Sequence, residues 1–160
     1  MNRPLNKSLA KKRAARMAAV QALYSQNVSG PKKADVPKML ASIIAHWKDS
    51  LSSEEPDLAM DVAPDAALLE KILKAAILGT DTIEEQIDGL ILPGWKKERM
   101  SPVLMSCLRA FGGEMLARPD CEAAILIDEY SAVSASFVSD QEQSFMHSAL
   151  NHLARGLRVG

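Results

Sequence analysis

Apolar residues recur along this chain at intervals of three and four rather than alternating, and that period predicts helices throughout. A first helix runs from about Ser8 to Val28, with Ser8 as candidate N-cap and Ser29-Gly30-Pro31 as its stop. The second starts near Asp35, accepts Pro37 in its first turn, and carries Met39, Leu40, Ile43, Ile44 and Trp47 at helical spacing. Residues 48–64 are polar, contain two prolines, and read as a loop. After Pro64 a third helix sets Leu68, Leu69, Ile72, Leu73, Ala76 and Ile77 on one stripe. Gly79 to Asp81 marks a break, and a shorter helix carries Ile83, Ile87, Leu90 and Ile91 up to Pro93-Gly94.

Ser101-Pro102 is an N-cap and first-position pair for a helix that buries Val103, Leu104, Leu108, Phe111 and Met115. Gly112-Gly113 inside it costs on the order of 1 kcal/mol per glycine relative to alanine, and close approach of another helix is a reason to keep the pair. Pro119-Asp120 opens the next helix, which runs to about Phe137. Ser139-Asp140-Gln141-Glu142 fits a capping box for the last helix, whose stripe is Phe145, Met146, Ala149, Leu150, Leu153 and Leu157. No alternating run of strand length, internal repeat or low-complexity tract interrupts this pattern. The expectation is an all-α protein: one compact bundle of about six or seven helices spanning residues 1–160, with residues 1–7 as a loose tail. A chain of 160 residues is long enough to bury a proper core.

Composition narrows the function. No stretch of eighteen apolar residues offers a membrane span, and no apolar run follows the amino-terminal charges as in a signal peptide, so a cytoplasmic protein is expected. Cys107 and Cys121 lack metal or redox spacing and read as reduced thiols, with Cys107 in the core. His147 and His152 stand five apart, on different helix faces, unlike a metal-binding i, i+4 pair; His46 is isolated. Glu54-Glu55 and Glu84-Glu85 read as solvated faces, and Gly112-Gly113 lacks the strand and the lysine of a phosphate loop. Converging catalytic groups cannot be assembled, so the expectation is a protein with no catalytic residue, no metal and no cofactor.

Charge changes the picture more. Residues 1–34 hold Arg3, Lys7, Lys11, Lys12, Arg13, Arg16, Lys32 and Lys33 and no acid, while the rest of the chain carries all 20 acids. A basic arm on an acidic body points to a polyanion confined to one end. The arm's cations crowd the first turns of a helix, against the positive end of its dipole. At about 100° per residue, Arg13 and Arg16 fall on the same side as Met17, Val20 and Leu23. Either their stems snorkel along the core, or the helix overhangs the bundle with its first turns beyond the core edge. The cations could simply solubilise a fraying terminus. They could also hold phosphates, with arginine stacking on unpaired bases, which suits single-stranded RNA. No zinc spacing or heptad zipper indicates a duplex reader.

The stretch "RAARMAAVQALYS", followed at the far end by "ILIDEYSAVSASFVSDQEQSFMHSALNHLARGLR", resembles the NusB family of transcription antitermination factors. "IDGLILPGW" and "VLMSCLRAFGGEML" are similar to its middle segments, and residues 31–64 are the least alike. The resemblance implies two helical subdomains and no catalysis. It also implies binding of boxA-type single-stranded RNA together with NusE, small-subunit ribosomal protein ten, within the RNA polymerase antitermination complex. Carried over by position, it implies RNA contacts at Lys11, Lys12, Arg13 and Arg16, with Lys7 on the adjoining face, and at Phe145. Tyr24 matches a tyrosine near the NusE-facing surface. From pattern alone Phe145 could equally be core, and Tyr24 an interior residue with a bonded hydroxyl. Arg109, Glu114 and Glu129 match charged family positions among apolar neighbours and are expected to be paired, partly buried and structural.

Departures are also present. Asp128, Ala135 and His147 replace more favourable residues, which weakens the positive surface on the carboxyl-terminal side, and Leu104 replaces an acid. Two alternatives therefore stand beside the RNA-binding factor. One is a protein-interaction adaptor that has lost most RNA binding. The other is an RNA-targeting module for ribosomal RNA processing or methylation, working with a separate enzyme.

Overall fold

The computed structural model describes residues 7–29, 35–51 and 62–158. They form seven α-helices: α1 (Lys7–Ser29), α2 (Val36–Leu51), α3 (Ala66–Leu78), α4 (Thr80–Asp88), α5 (Pro102–Ala117), α6 (Ala123–Ser134) and α7 (Asp140–Leu157). A single 3-10 turn, Lys97–Arg99, precedes α5, and no strand occurs among the described residues. The all-helical expectation holds. Of the proposed tail, residues 1–7, Lys7 is already helical and residues 1–6 lie outside the described residues, as does most of the 48–64 loop, although α2 runs on to Leu51.

Helix α5 is the axis of the bundle and packs against α1, α3, α4, α6 and α7. Its stripe is fully apolar at Leu104, Leu108, Phe111 and Met115, all shielded from solvent. The Gly112-Gly113 pair does admit close neighbours. A Cβ on Gly113 would lie 2.7 Å from the Ile72 carbonyl oxygen of α3, and one on Gly112 would lie 2.9 Å from the Ile83 side chain of α4. Alanines 14, 15, 18, 19 and 22 likewise vanish into the core and let α1 lie close to its partners.

Helix directions follow from the contacts. Arg16 meets Glu114 near the end of α5, whereas Tyr24 shares a groove with Val103 near its start, so α1 runs antiparallel to α5. Helix α7 runs parallel to it. Glu142, at the start of α7, accepts bonds from the Ser101 backbone N–H and hydroxyl, both at 2.8 Å. At the far end the Arg158 guanidinium donates to the Met115, Arg118 and Cys121 carbonyls, capping α5.

Several boundaries differ from the sequence reading, each for a local reason. Ser8 is not the N-cap, because Lys7 is already helical. Ile91 lies beyond α4 and is 92% exposed, since Gly89 ends that helix. Helix α6 starts only at Ala123, because the chain around Pro119–Cys121 turns under Arg158, and it stops at Ser134. The capping box is only half formed. Ser139 accepts from the Glu142 N–H, but the Glu142 carboxylate has gone to Ser101 instead of returning to Ser139.

Candidate nucleic-acid interface

The amino-terminal end of α1 emerges from the bundle by about two turns. Lys7, Lys11 and Arg13 are exposed and Lys12 is half-buried, whereas Ala14 and Ala15 are already covered. The end is anchored rather than frayed: the Lys11 carbonyl accepts the Asp65 N–H at 3.0 Å, and the Asp65 side chain caps α3 through the Leu68 N–H. Four cations are thereby held together at one end of the molecule by the rise of a single helix.

Arg16 is not among them, which corrects its assignment as an RNA contact. Only 4% of the residue is exposed. Its Nε and Nη2 donate to the two oxygens of Glu114, both at 2.9 Å, and its Nη1 to Glu129 at 3.3 Å. Neither snorkelling nor overhang describes it; the side chain is a core ion pair. Glu114 also accepts from Arg118 at 2.7 Å and from the Tyr130 hydroxyl at 2.9 Å. Burial alone would raise the Glu114 carboxyl, but Arg16, aided by Arg118 and Tyr130, outweighs it and holds the group below its usual range. Burial likewise opposes the Arg16 charge, and the Glu114 carboxylate overcomes it, so the guanidinium sits above its ordinary value. Burial, reinforced by Glu114, drives the Tyr130 phenol well up and keeps it a donor. Elsewhere Arg109 pairs with Glu84. The expected paired, structural charges are thus Arg109, Glu114 and Glu129.

Arg13 does reach solvent, with 56% of its side chain exposed, and its Nη2 lies 3.5 Å from both Glu129 oxygens. Asp128 and Ala135 are exposed on and just beyond α6, and His147 is exposed on α7. Cys107 is buried, its thiol pushed up to about 12 by burial and, secondarily, by Glu142.

Phe145 is half-buried on the first turns of α7, its ring edge-on to Trp95 with centroids 6.0 Å apart. Gly94, at a φ of 78° that suits glycine, makes the turn that brings Trp95 there. Exposed Lys96 and Arg99 flank the pair, while Lys97 is engaged by Asp88 and Glu84. Sequence reasoning passed over Trp95; the adjoining "GWKKER" run, an aromatic beside three cations, was the signal that could have found it. Phe145 and Arg13 do not meet. They lie toward opposite ends of α5, separated along its axis by roughly 20 Å at about 1.5 Å per residue.

Tyr24 is 40% exposed rather than interior. It borders a groove of about 630 Å³ between α1 and α2, floored by Val20, Met39, Ile43, Val103 and Phe137. The Oε1 of Gln21, a residue lining this groove, is buried and has no donor among the described residues. No group of three histidines, cysteines or carboxylates among the described residues could hold a metal ion, and no described helix is long and apolar enough to cross a membrane.

Over residues 13–155 the sequence matches the NusB family. The chain belongs to that family. A Bradyrhizobium protein named transcription antitermination protein NusB is 31% identical over 146 residues, covering 91% of this chain and 82% of that one. A Nitrobacter hamburgensis protein of the same name is 29% identical over 157 residues, covering 98% and 93%. The solved structure of T. maritima NusB superposes with a TM-score of 0.66 at 19% identity, over 97% of this chain and 93% of that one, and shares the fold. The NusB family comprises transcription factors rather than enzymes. Its match begins at Arg13, the surface arginine, and takes in Arg16, Glu114 and Glu129, so the ion cluster lies wholly within the NusB region.

Proposed function

We propose that this chain binds boxA-type single-stranded RNA together with NusE, and that the pair acts in the cytoplasm within the RNA polymerase antitermination complex. One observation carries the reading: Lys7, Lys11, Lys12 and Arg13 gather at a single anchored helix end, on the fold of a transcription antitermination family. Phosphates there neutralise charges that otherwise face the helix dipole, and they release condensed counterions. Phe145 and Trp95 supply stacking faces at the other end, with Lys96 and Arg99 beside them. The groove beside Tyr24 supports protein docking, since its apolar floor suits an inserted side chain.

A gel shift with boxA-type RNA, with and without NusE, across a salt series tests this. We expect binding by the chain alone that weakens steeply with salt, and tighter binding with NusE. Binding of NusE without any RNA binding would instead establish the adaptor reading, which is favoured by the loss of Arg16 to the interior and by the exposed Asp128.

A further inference from the structure

Arg13 is reached by solvent but is not unengaged. Its Nη2 sits 3.5 Å from both oxygens of Glu129, a long contact through one nitrogen that leaves its other N–H donors available. Glu129 is itself steadied from below, because buried Arg16 donates to it at 3.3 Å while donating its shorter bonds to Glu114. The result is a graded cluster. Glu114 is fully enclosed, the Glu129 side chain is 27% exposed, and Arg13 lies outermost at 56%. Three arginines, Arg13, Arg16 and Arg118, face two carboxylates, so one positive charge is in surplus, and Arg13 is the most exposed of the three.

We propose that Glu129 is a counter-ion latch on the RNA-binding end of the protein. It draws on the Arg13 guanidinium in the free chain, and a phosphate competes with it for Arg13. This rests on the reading that the α1 end grips single-stranded RNA. The latch lowers the sequence-independent grip of the arm, because a polyanion competes with Glu129 for the Arg13 guanidinium. It does so without loosening the fold, since Arg16 keeps the Glu114 carboxylate whether or not Arg13 departs.

The test is a double-mutant cycle on the full chain, comparing wild type, Glu129→Gln, Arg13→Gln and the double variant. Fluorescence anisotropy is read with oligo(U) and with boxA-type RNA over a salt series. The latch predicts that E129Q binds oligo(U) about two- to fivefold more tightly, the size of one exposed ion pair. Its salt slope steepens by about 0.7, the increment for one further phosphate neutralised on a single strand. In the R13Q background both changes fall to the plain effect of removing one negative charge. An equal gain with and without Arg13 makes Glu129 merely a nearby negative charge and overturns the latch, as does no gain at all. Asp128→Asn on the neighbouring residue calibrates that plain charge effect, which persists in the R13Q background. Should E129Q fail to fold, Glu129→Asp keeps the charge but withdraws it by one methylene, and the latch predicts the same Arg13-dependent gain. If the cycle shows coupling on oligo(U) while boxA RNA binds no better than oligo(U), the latch stands and the boxA reading fails. If no variant binds any RNA at low salt, both fall.

Discussion

Arg13 and Arg16 stand three positions apart on one helix, yet their neighbours divide them into a surface cation and a core ion. Arg16 points into the seam between α5 and α6, where Glu114 and Tyr130 are enclosed, and it is the counter-charge that makes burying Glu114 tolerable. Glu114→Gln leaves that guanidinium without its full charge partner and is expected to cost about 3–5 kcal/mol in denaturant unfolding. R13Q should stay within about 0.5 kcal/mol of wild type, as for most surface changes. The Glu114 carboxyl sits below its unfolded value of about 4.3, so the unfolded chain binds more protons over that interval. Its contribution is therefore complete above about pH 4.3 and is lost as pH falls through the lower folded value, and E114Q should flatten that acid limb. The sequence revealed that Arg109, Glu114 and Glu129 were charges among apolar neighbours and must be paired. It could not reveal that Arg16 was the partner of Glu114, because 98 residues separate them and helical phase alone places Arg13 and Arg16 on the same side.

Among the elements, the α3–α5 crossing was the most legible and the helix ends the least. Two glycines in a helix stripe announce a close neighbour, and α3 and α4 supply it. In an isolated helix, Gly113→Ala would stabilise by about 1 kcal/mol. Here the new methyl meets the Ile72 carbonyl oxygen, a backbone atom that cannot rotate away, so thermal unfolding should show a net loss of about 1–3 kcal/mol. The start of α6 and the reciprocal half of the α7 capping box were misjudged because tertiary partners claimed the polar groups there. Arg158 took the α5 carbonyls from 43 residues away, and Ser101 took the Glu142 carboxylate that a local capping box would have used. Local grammar describes a cap correctly only while nothing distant competes for the same atoms.

The whole molecule is organised by charge as much as by packing. All the acids follow residue 34, and the described cations of the arm gather at one corner of an otherwise acidic body. That asymmetry, and the helical period that anchors α1, were readable from the sequence. The separation of Phe145 from Arg13 was not, because it depends on α1 and α7 running in opposite directions along α5. The most direct test of an RNA grip by α1 is the salt dependence of boxA-type RNA binding for wild type and for the triple variant Lys11→Gln, Lys12→Gln, Arg13→Gln, with unfolding curves confirming an intact fold. The expected result is weaker binding and a plot of log affinity against log salt that is shallower by about 0.7 for each phosphate no longer neutralised, up to about 2 in all. The same affinity and slope in both proteins would contradict it.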